Sequence, residues 1–272
     1  MSLAVRFPSS GFPEGLNMRL MYYKPMWLPR WVGELYTNLY VNFGGNAFSF
    51  EDALRFSKST SVAKVALAKL KRMGGLYVHK RSNRRRSYRL CDPEVLIYSL
   101  SGKITNLWTI RQGRYCRLIG LVSMGILKEL SDVKSIVVYG SVARGVARID
   151  SDVDMLVIME NEESLGKRID RLLKIETSER VEEELTWLYR NGVDTHISFL
   201  PLNPEEARFF PPVLLDVIDE GIPVFDDGFY ASLVKEKREI LSRLEARRVF
   251  ISKDEWFWDL RPEMRLGDVI EI

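Results

Sequence analysis

Two apolar runs, Val133 to Tyr139 and Val153 to Met159, stand close together in the middle of the chain and dominate what it can become. Each is rich in Val, Ile and Leu, so each reads as a strand of a buried sheet, where branched side chains pack on a pleated surface. The segment that joins them, Gly140 to Asp152, is short, polar and glycine-bounded. A charged, helix-favouring stretch from Glu163 to Arg190 follows, and Val193 to Leu200 alternates again as a strand. Strand, turn, strand, helix, strand is an α+β order built on a sheet flanked by helices. Beyond it, Pro204-Glu205 opens a helical region that Pro211-Pro212 breaks and Gly221 closes, and Phe229 to Val249 reads as a long charged helix.

The first hundred residues have a different character. Four prolines, Pro8, Pro13, Pro25 and Pro29, keep residues 1–30 irregular. From Trp31 to Asn42, apolar residues recur at helical spacing until Gly44-Gly45 stops them. Ser49 with Glu51 and Asp52 starts a short second helix, and Ser59-Thr60-Ser61 caps a third over Val62 to Met73. On that third helix Val62, Ala63, Ala66, Leu67, Leu70 and Met73 fill one arc, and Lys64, Lys71 and Arg72 lie opposite. Gly74-Gly75 ends it. Leu76 to Val78 and Ser87 to Leu90 then read as strands flanking a basic hairpin, Lys80 to Arg86. This order resembles a winged helix-turn-helix domain.

The segment between the two central strands carries the chemistry. Gly140 ends a buried strand and frees the backbone to turn, so that Ser141 and the following amides can face a phosphate, with Arg144 as a nearby cation. Asp152 and Asp154 are one residue apart, which puts both carboxylates on one face of the second strand. Such a pair calls for a cation, and hard Mg²⁺ beside a triphosphate is the natural one. Asp194, expected on the next strand, can add a third acid; Asp216 and Asp219 are alternatives. Three acids around two ions let one activate an attacking hydroxyl and the other hold the leaving pyrophosphate.

With the GSxARG turn (Gly140, Ser141, Ala143, Arg144, Gly145) and the SDxD strand (Ser151, Asp152, Asp154), residues 130–227 resemble the polymerase-β-like nucleotidyltransferase superfamily, in particular its small archaeal and bacterial members. The resemblance implies that Gly140 and Ser141 hold the phosphates of an NTP, that Asp152 and Asp154 bind Mg²⁺, and that a nucleoside monophosphate moves to a hydroxyl acceptor. Small members of that kind also imply an alternative, a regulator or antitoxin-like protein that uses the fold as a nucleotide sensor or partner modifier.

Charge divides along the same line. Residues 1–100 carry 16 Lys/Arg against 6 Asp/Glu, and the remainder 24 against 31; between Ala53 and Cys91 there are 12 basic residues and no acidic one. Such a stretch predicts a polyanion-binding face made of Lys64, Lys71, Arg72, Arg84, Arg85 and Arg86, with double-stranded DNA as the expected ligand. With 46% hydrophobic and 28% charged residues the chain can bury a core, which excludes global disorder. Its longest uncharged apolar stretch, Leu118 to Leu127, is about half of the ~20 residues a bilayer requires, so no membrane partner is expected. Cys91 and Cys116 fit a reducing cytoplasm as small core residues. The expected organisation is a winged helix-turn-helix domain with its N-terminal arm over residues 1–100, connecting helices over 101–130 within an apolar helical pattern from Ile104 to Leu130, a nucleotidyltransferase domain over 131–227, and a helical tail over 228–272 that is a candidate for homodimer formation.

Overall fold

A computed structural model describes residues 28–82, 85–209, 211–251 and 256–260. The irregular arm expected before residue 28, Arg84 of the basic hairpin, and the end of the tail after residue 260 lie outside the described residues.

The N-terminal unit consists of α1 (Arg30–Phe43), a two-residue strand β1 (Phe48–Ser49), α2 (Phe50–Leu54), α3 (Thr60–Arg72), β2 (Leu76–Ser82) and β3 (Arg85–Leu90). The strands form an antiparallel sheet in the order β1-β3-β2. Both short-range starts work through their serines. Ser49 Oγ accepts the Asp52 amide while the Asp52 carboxylate accepts the Ser49 amide, and Ser59 Oγ accepts the Val62 amide at 3.3 Å. On α3, Ala63, Ala66, Leu67 and Leu70 are buried, and Lys64, Lys71 and Arg72 are exposed, as their spacing implies. Val62 departs from the expected arc and is exposed.

The apolar pattern from Ile104 to Leu130 is not one helical stretch. The chain first forms α4 (Pro93–Leu100), capped by Asp92 with Pro93 at its first position, then a single 3₁₀ turn at Leu107–Thr109, and only then α5 (Cys116–Glu129). The break has a cause in the backbone. Thr105 donates its amide to Val224 at 2.7 Å, Asn106 Nδ2 donates to the Pro223 carbonyl at 2.8 Å, and Asn106 takes a left-handed φ of 58° to do so. That segment is thereby held along a strand far ahead in sequence.

The strand in question belongs to the main sheet, whose elements run β4 (Val133–Tyr139), α6 (Gly140–Arg144), β5 (Val153–Met159), α7 (Leu165–Glu176), α8 (Glu179–Arg190), β6 (Ile197–Leu202), α9 (Pro204–Arg208), α10 (Val213–Glu220), β7 (Ile222–Asp226) and α11 (Phe229–Arg243). The order is β6-β5-β4-β7, with β5 and β6 parallel and the other pairs antiparallel, so the sheet is mixed. Alternation along the central strands serves two cores. Ile136, Val138, Met155 and Val157 face the apolar cluster shared with α5 and the N-terminal unit; Val137, Leu156 and Ile158 face the cluster with α10 and α11. The edge strand β7 was not expected, since Pro223 and a length of five residues hide it.

The long helix expected over 229–249 ends at Arg243; residues 247–250 form β8 (Arg247–Phe250), which pairs with β9 (Trp256–Asp259). Tyr230, Leu233, Val234 and Leu241 of α11 are buried within the chain's own second core. Cys91 and Cys116 are buried free thiols, and burial pushes both up to about 12. Among the described residues no helix is long and apolar enough to cross a membrane.

Candidate active site

Gly140 stands where β4 passes into α6, with a left-handed φ of 69°, a conformation that favours glycine. The space around it also demands glycine, because a Cβ there would overlap Asp154 Oδ2. The Asp154 carboxylate therefore lies directly against the bend, as its cross-strand pairing with Tyr139 requires. Gly145, with φ 78°, closes α6, and a side chain there would overlap the stem of Arg111. Ser141, partly exposed, is in the first turn of α6.

Asp154 is half-buried and Asp152, just ahead of β5, is exposed. Burial and the neighbouring Asp152 push the Asp154 carboxyl above the usual carboxylate range, while a hydrogen bond with Ser198 and the charge of Arg144 act the other way. Burial and Asp154 in turn push the Tyr139 phenol up to about 12. Two oxygen-rich groups, one of them desolvated and disfavoured by its neighbour's charge, form a donor set suited to a hard divalent cation. Arg144 is itself engaged: Nη1 is 2.8 Å from Glu220 Oε2 and its guanidinium stands 5.1 Å from the centre of the Trp256 ring.

The placement of Asp194 differs from the expected one. Asp194, itself exposed, is not on β6 but in the segment before it, where its amide donates to the Ile149 carbonyl at 2.8 Å. The parallel register places Ser198, not an acid, beside Asp154. Asp194 lies four residues earlier, about 13 Å along an extended chain. The alternatives are committed elsewhere, since Asp216 and Asp219 bind Arg248 of the C-terminal hairpin at 3.2 and 2.8 Å. Among the described residues no group of three His, Cys, Asp or Glu is disposed to hold a metal. His196, exposed, contributes its carbonyl to the Val153 amide.

Sequence reasoning missed the residues that fix the loop between α6 and β5. Gln112 Nε2 donates to the Ala147 carbonyl at 2.8 Å and Gln112 Oε1 accepts the Ala147 amide at 3.0 Å. Arg114 Nη2 donates to Ala147 at 2.7 Å, and the Tyr115 hydroxyl donates to Arg148 at 2.6 Å. The segment 111–115 is thus a clamp on the loop that leads into Asp152. No local pattern announces it, because its partners are carbonyls more than thirty residues away.

The basic face is partly gathered. Lys64, Lys71, Arg85 and Arg86 line one groove of about 920 Å³ between α2, α3 and β3, joined by Arg55, with Glu51 and Asp52 at one wall. Arg72 is exposed on α3 but does not line it. None of these five predicted cations takes part in an ion pair among the described residues.

The bend therefore carries Asp154 against Gly140, with Asp152 close by. Residues 124–216 match the nucleotidyltransferase domain family. A Methanocaldococcus jannaschii protein provisionally named a protein adenylyltransferase is 30% identical over 129 residues, covering 46% of this chain and 80% of that protein. Solved structures with some likeness include a toxin-antitoxin crystal structure with AMP-PNP, 12% identical, covering 44% of this chain and 87% of the other, with a TM-score of 0.29. A mutant of the toxin-antitoxin MntA-HpeT matches at 13% identity over 44% of this chain and 86% of the other, also with a TM-score of 0.29. The chain belongs to the nucleotidyltransferase domain family, and it is a nucleotidyltransferase enzyme.

Proposed function

We propose that the enzyme transfers a nucleoside monophosphate from an NTP to a hydroxyl group, with Asp152 and Asp154 holding Mg²⁺ beside the triphosphate. The observation that carries this reading is the Asp154 carboxylate packed against Gly140, with Asp152 one residue before β5. When bound, the ion would offset the charge of the phosphates and of the carboxylate pair. Gly140 and Ser141 would present their amides to the phosphates, while Arg144, held by Glu220, balances the carboxylates electrostatically. In the transfer, the acceptor oxygen bonds to the α-phosphorus, the bond to the β-phosphate bridge breaks, pyrophosphate leaves, and the hydroxyl proton is lost. The name of the Methanocaldococcus relative supports AMP as the group moved and a protein hydroxyl as acceptor.

The N-terminal unit is read as a winged helix-turn-helix domain, from its three helices followed by a hairpin. Its groove is cationic through Lys64, Lys71, Arg85 and Arg86, which suits the phosphate backbone of double-stranded DNA. Arg72 and Arg84 belong to the same proposal by sequence.

Labelled ATP with Mg²⁺, offered to protein and nucleic-acid acceptors, tests the transfer. Asp152→Asn and Asp154→Asn are expected to reduce labelling at least about a hundredfold while leaving the thermal melt intact. Wild-type protein that binds NTP and duplex but labels no acceptor would replace this reading with that of a nucleotide-sensing regulator.

A further inference from the structure

A second cleft, of about 530 Å³, opens between β2 and the segment 107–114. Lys71, Arg81, Arg111 and Arg114 line it, and no aspartate or glutamate does. Lys71, Arg81 and Arg111 are exposed and take part in no ion pair among the described residues. Trp108, also part of the lining, is 54% exposed, so its ring face is open to a ligand in the cleft. His79 adds no charge: burial, then Arg89, Lys80 and Arg114, push its imidazole down to about 4.

The position of the cleft is as informative as its lining. Lys71, Leu76 and Val78 line both this cleft and the N-terminal groove, so the two adjoin at the end of α3. At the other end Arg111 packs against Gly145, and Gln112 and Arg114 hold the loop into Asp152. A cationic path thus runs from the groove to the transferase turn.

We propose that this cleft binds a single-stranded nucleic-acid segment, with backbone phosphates on Lys71, Arg81 and Arg111 and a base stacked on Trp108. A volume of this order holds one or two nucleotides and not a duplex. A lone exposed indole among guanidinium groups is the platform that unpaired bases use, since paired and stacked bases present only their edges. The inference goes beyond the duplex reading of the N-terminal groove and rests on it only for continuity of the strand.

The test measures anisotropy of a labelled blunt duplex and of the same duplex carrying a short single-stranded thymidine tail. The tail is expected to strengthen binding about tenfold. Trp108→Ala should abolish that gain, Trp108→Phe should restore most of it, and both should leave blunt-duplex affinity and the thermal melt unchanged. Arg81→Ala should lower the salt dependence of the tailed probe by about one phosphate contact. Equal affinity for tailed and blunt probes, or a tail gain that survives Trp108→Ala, overturns the proposal and leaves the groove reading standing. Loss of blunt-duplex binding with retained, Trp108-dependent binding of a thymidine oligonucleotide supports the cleft and removes the groove reading. Free AMP that saturates the cleft while the tail adds nothing overturns the strand in favour of a mononucleotide.

Discussion

His79 shows how a single residue reports its surroundings. Its ring lies edge-on to Trp187 at 4.9 Å, with Arg89 on β3, Lys80 on β2 and Arg114 on the clamp segment bearing on it. Its folded pKa, about 4, is below the ordinary value of 6.5. Between those values the unfolded chain binds a proton that the folded chain refuses, so stability falls as pH falls through that window. At pH 5 the loss is on the order of 2 kcal/mol relative to pH 7. His79→Gln removes this contribution. Denaturant melts at both pH values should therefore show a smaller acid penalty in the variant, and identical penalties would refute the assignment. At this scale the sequence was most legible where chemistry is local. Asp154 is on β5 and Asp152 one residue ahead of it, so spacing alone places them close together. Asp194 could not be placed that way, because its distance from Asp154 depends on where β6 begins and on its register with β5. The polar residues Asp194, Thr195 and His196 stand before the first residue of β6, Ile197.

Elements meet through one ion pair that nothing in the composition suggests. Arg89 of β3 is 2% exposed and Glu184 of α8 is 3% exposed; the guanidinium donates to both carboxylate oxygens at 2.6 and 2.8 Å. Arg117 of α5 adds a third contact at 3.0 Å, and the Trp187 ring lies 3.4 Å from the Arg89 guanidinium carbon. This cluster fastens the N-terminal sheet to the transferase helices. Breaking a buried pair from one side strands a charge, so Glu184→Gln should cost about 3–5 kcal/mol, visible as a large drop in melting temperature. A change below about 1 kcal/mol would mean that water reaches the pair. The signal was present in the sequence, though easily passed over. Val181 and Leu188 mark the inward stripe of α8, and Glu184 lies on that stripe at helical spacing. The division of 104–130 into a turn and a helix was less legible, because its cause is pairing of Thr105 and Asn106 with a strand more than a hundred residues later.

At the scale of the whole molecule, the boundary expected at residues 101–130 does not separate two cores. Leu118, Ile119, Leu121, Val122, Met124 and Ile126 of α5 are buried in one cluster that runs from Val32 of α1 to Val157 of β5. A connecting helix would have one covered face; α5 is enclosed by α4, α7, α8 and β4. Burial of a large apolar side chain contributes about 1.5–3 kcal/mol, so these six together amount to roughly 10 kcal/mol, comparable to the entire stability of a typical domain. A fragment beginning at residue 131 would expose Ile136, Val138, Met155 and Val157 on the sheet face that this cluster covers. It should be insoluble or lack a cooperative melt, whereas the full chain should unfold in a single transition by both circular dichroism and calorimetry. Two resolved transitions, or a 131–272 fragment that melts cooperatively at the temperature of the full chain, would show that α5 merely spans the two halves. A shared core also holds the cationic groove, the clamp at 111–115 and the carboxylate pair in fixed relation, so a duplex bound as proposed would meet the transferase turn at a set distance instead of on a swinging tether.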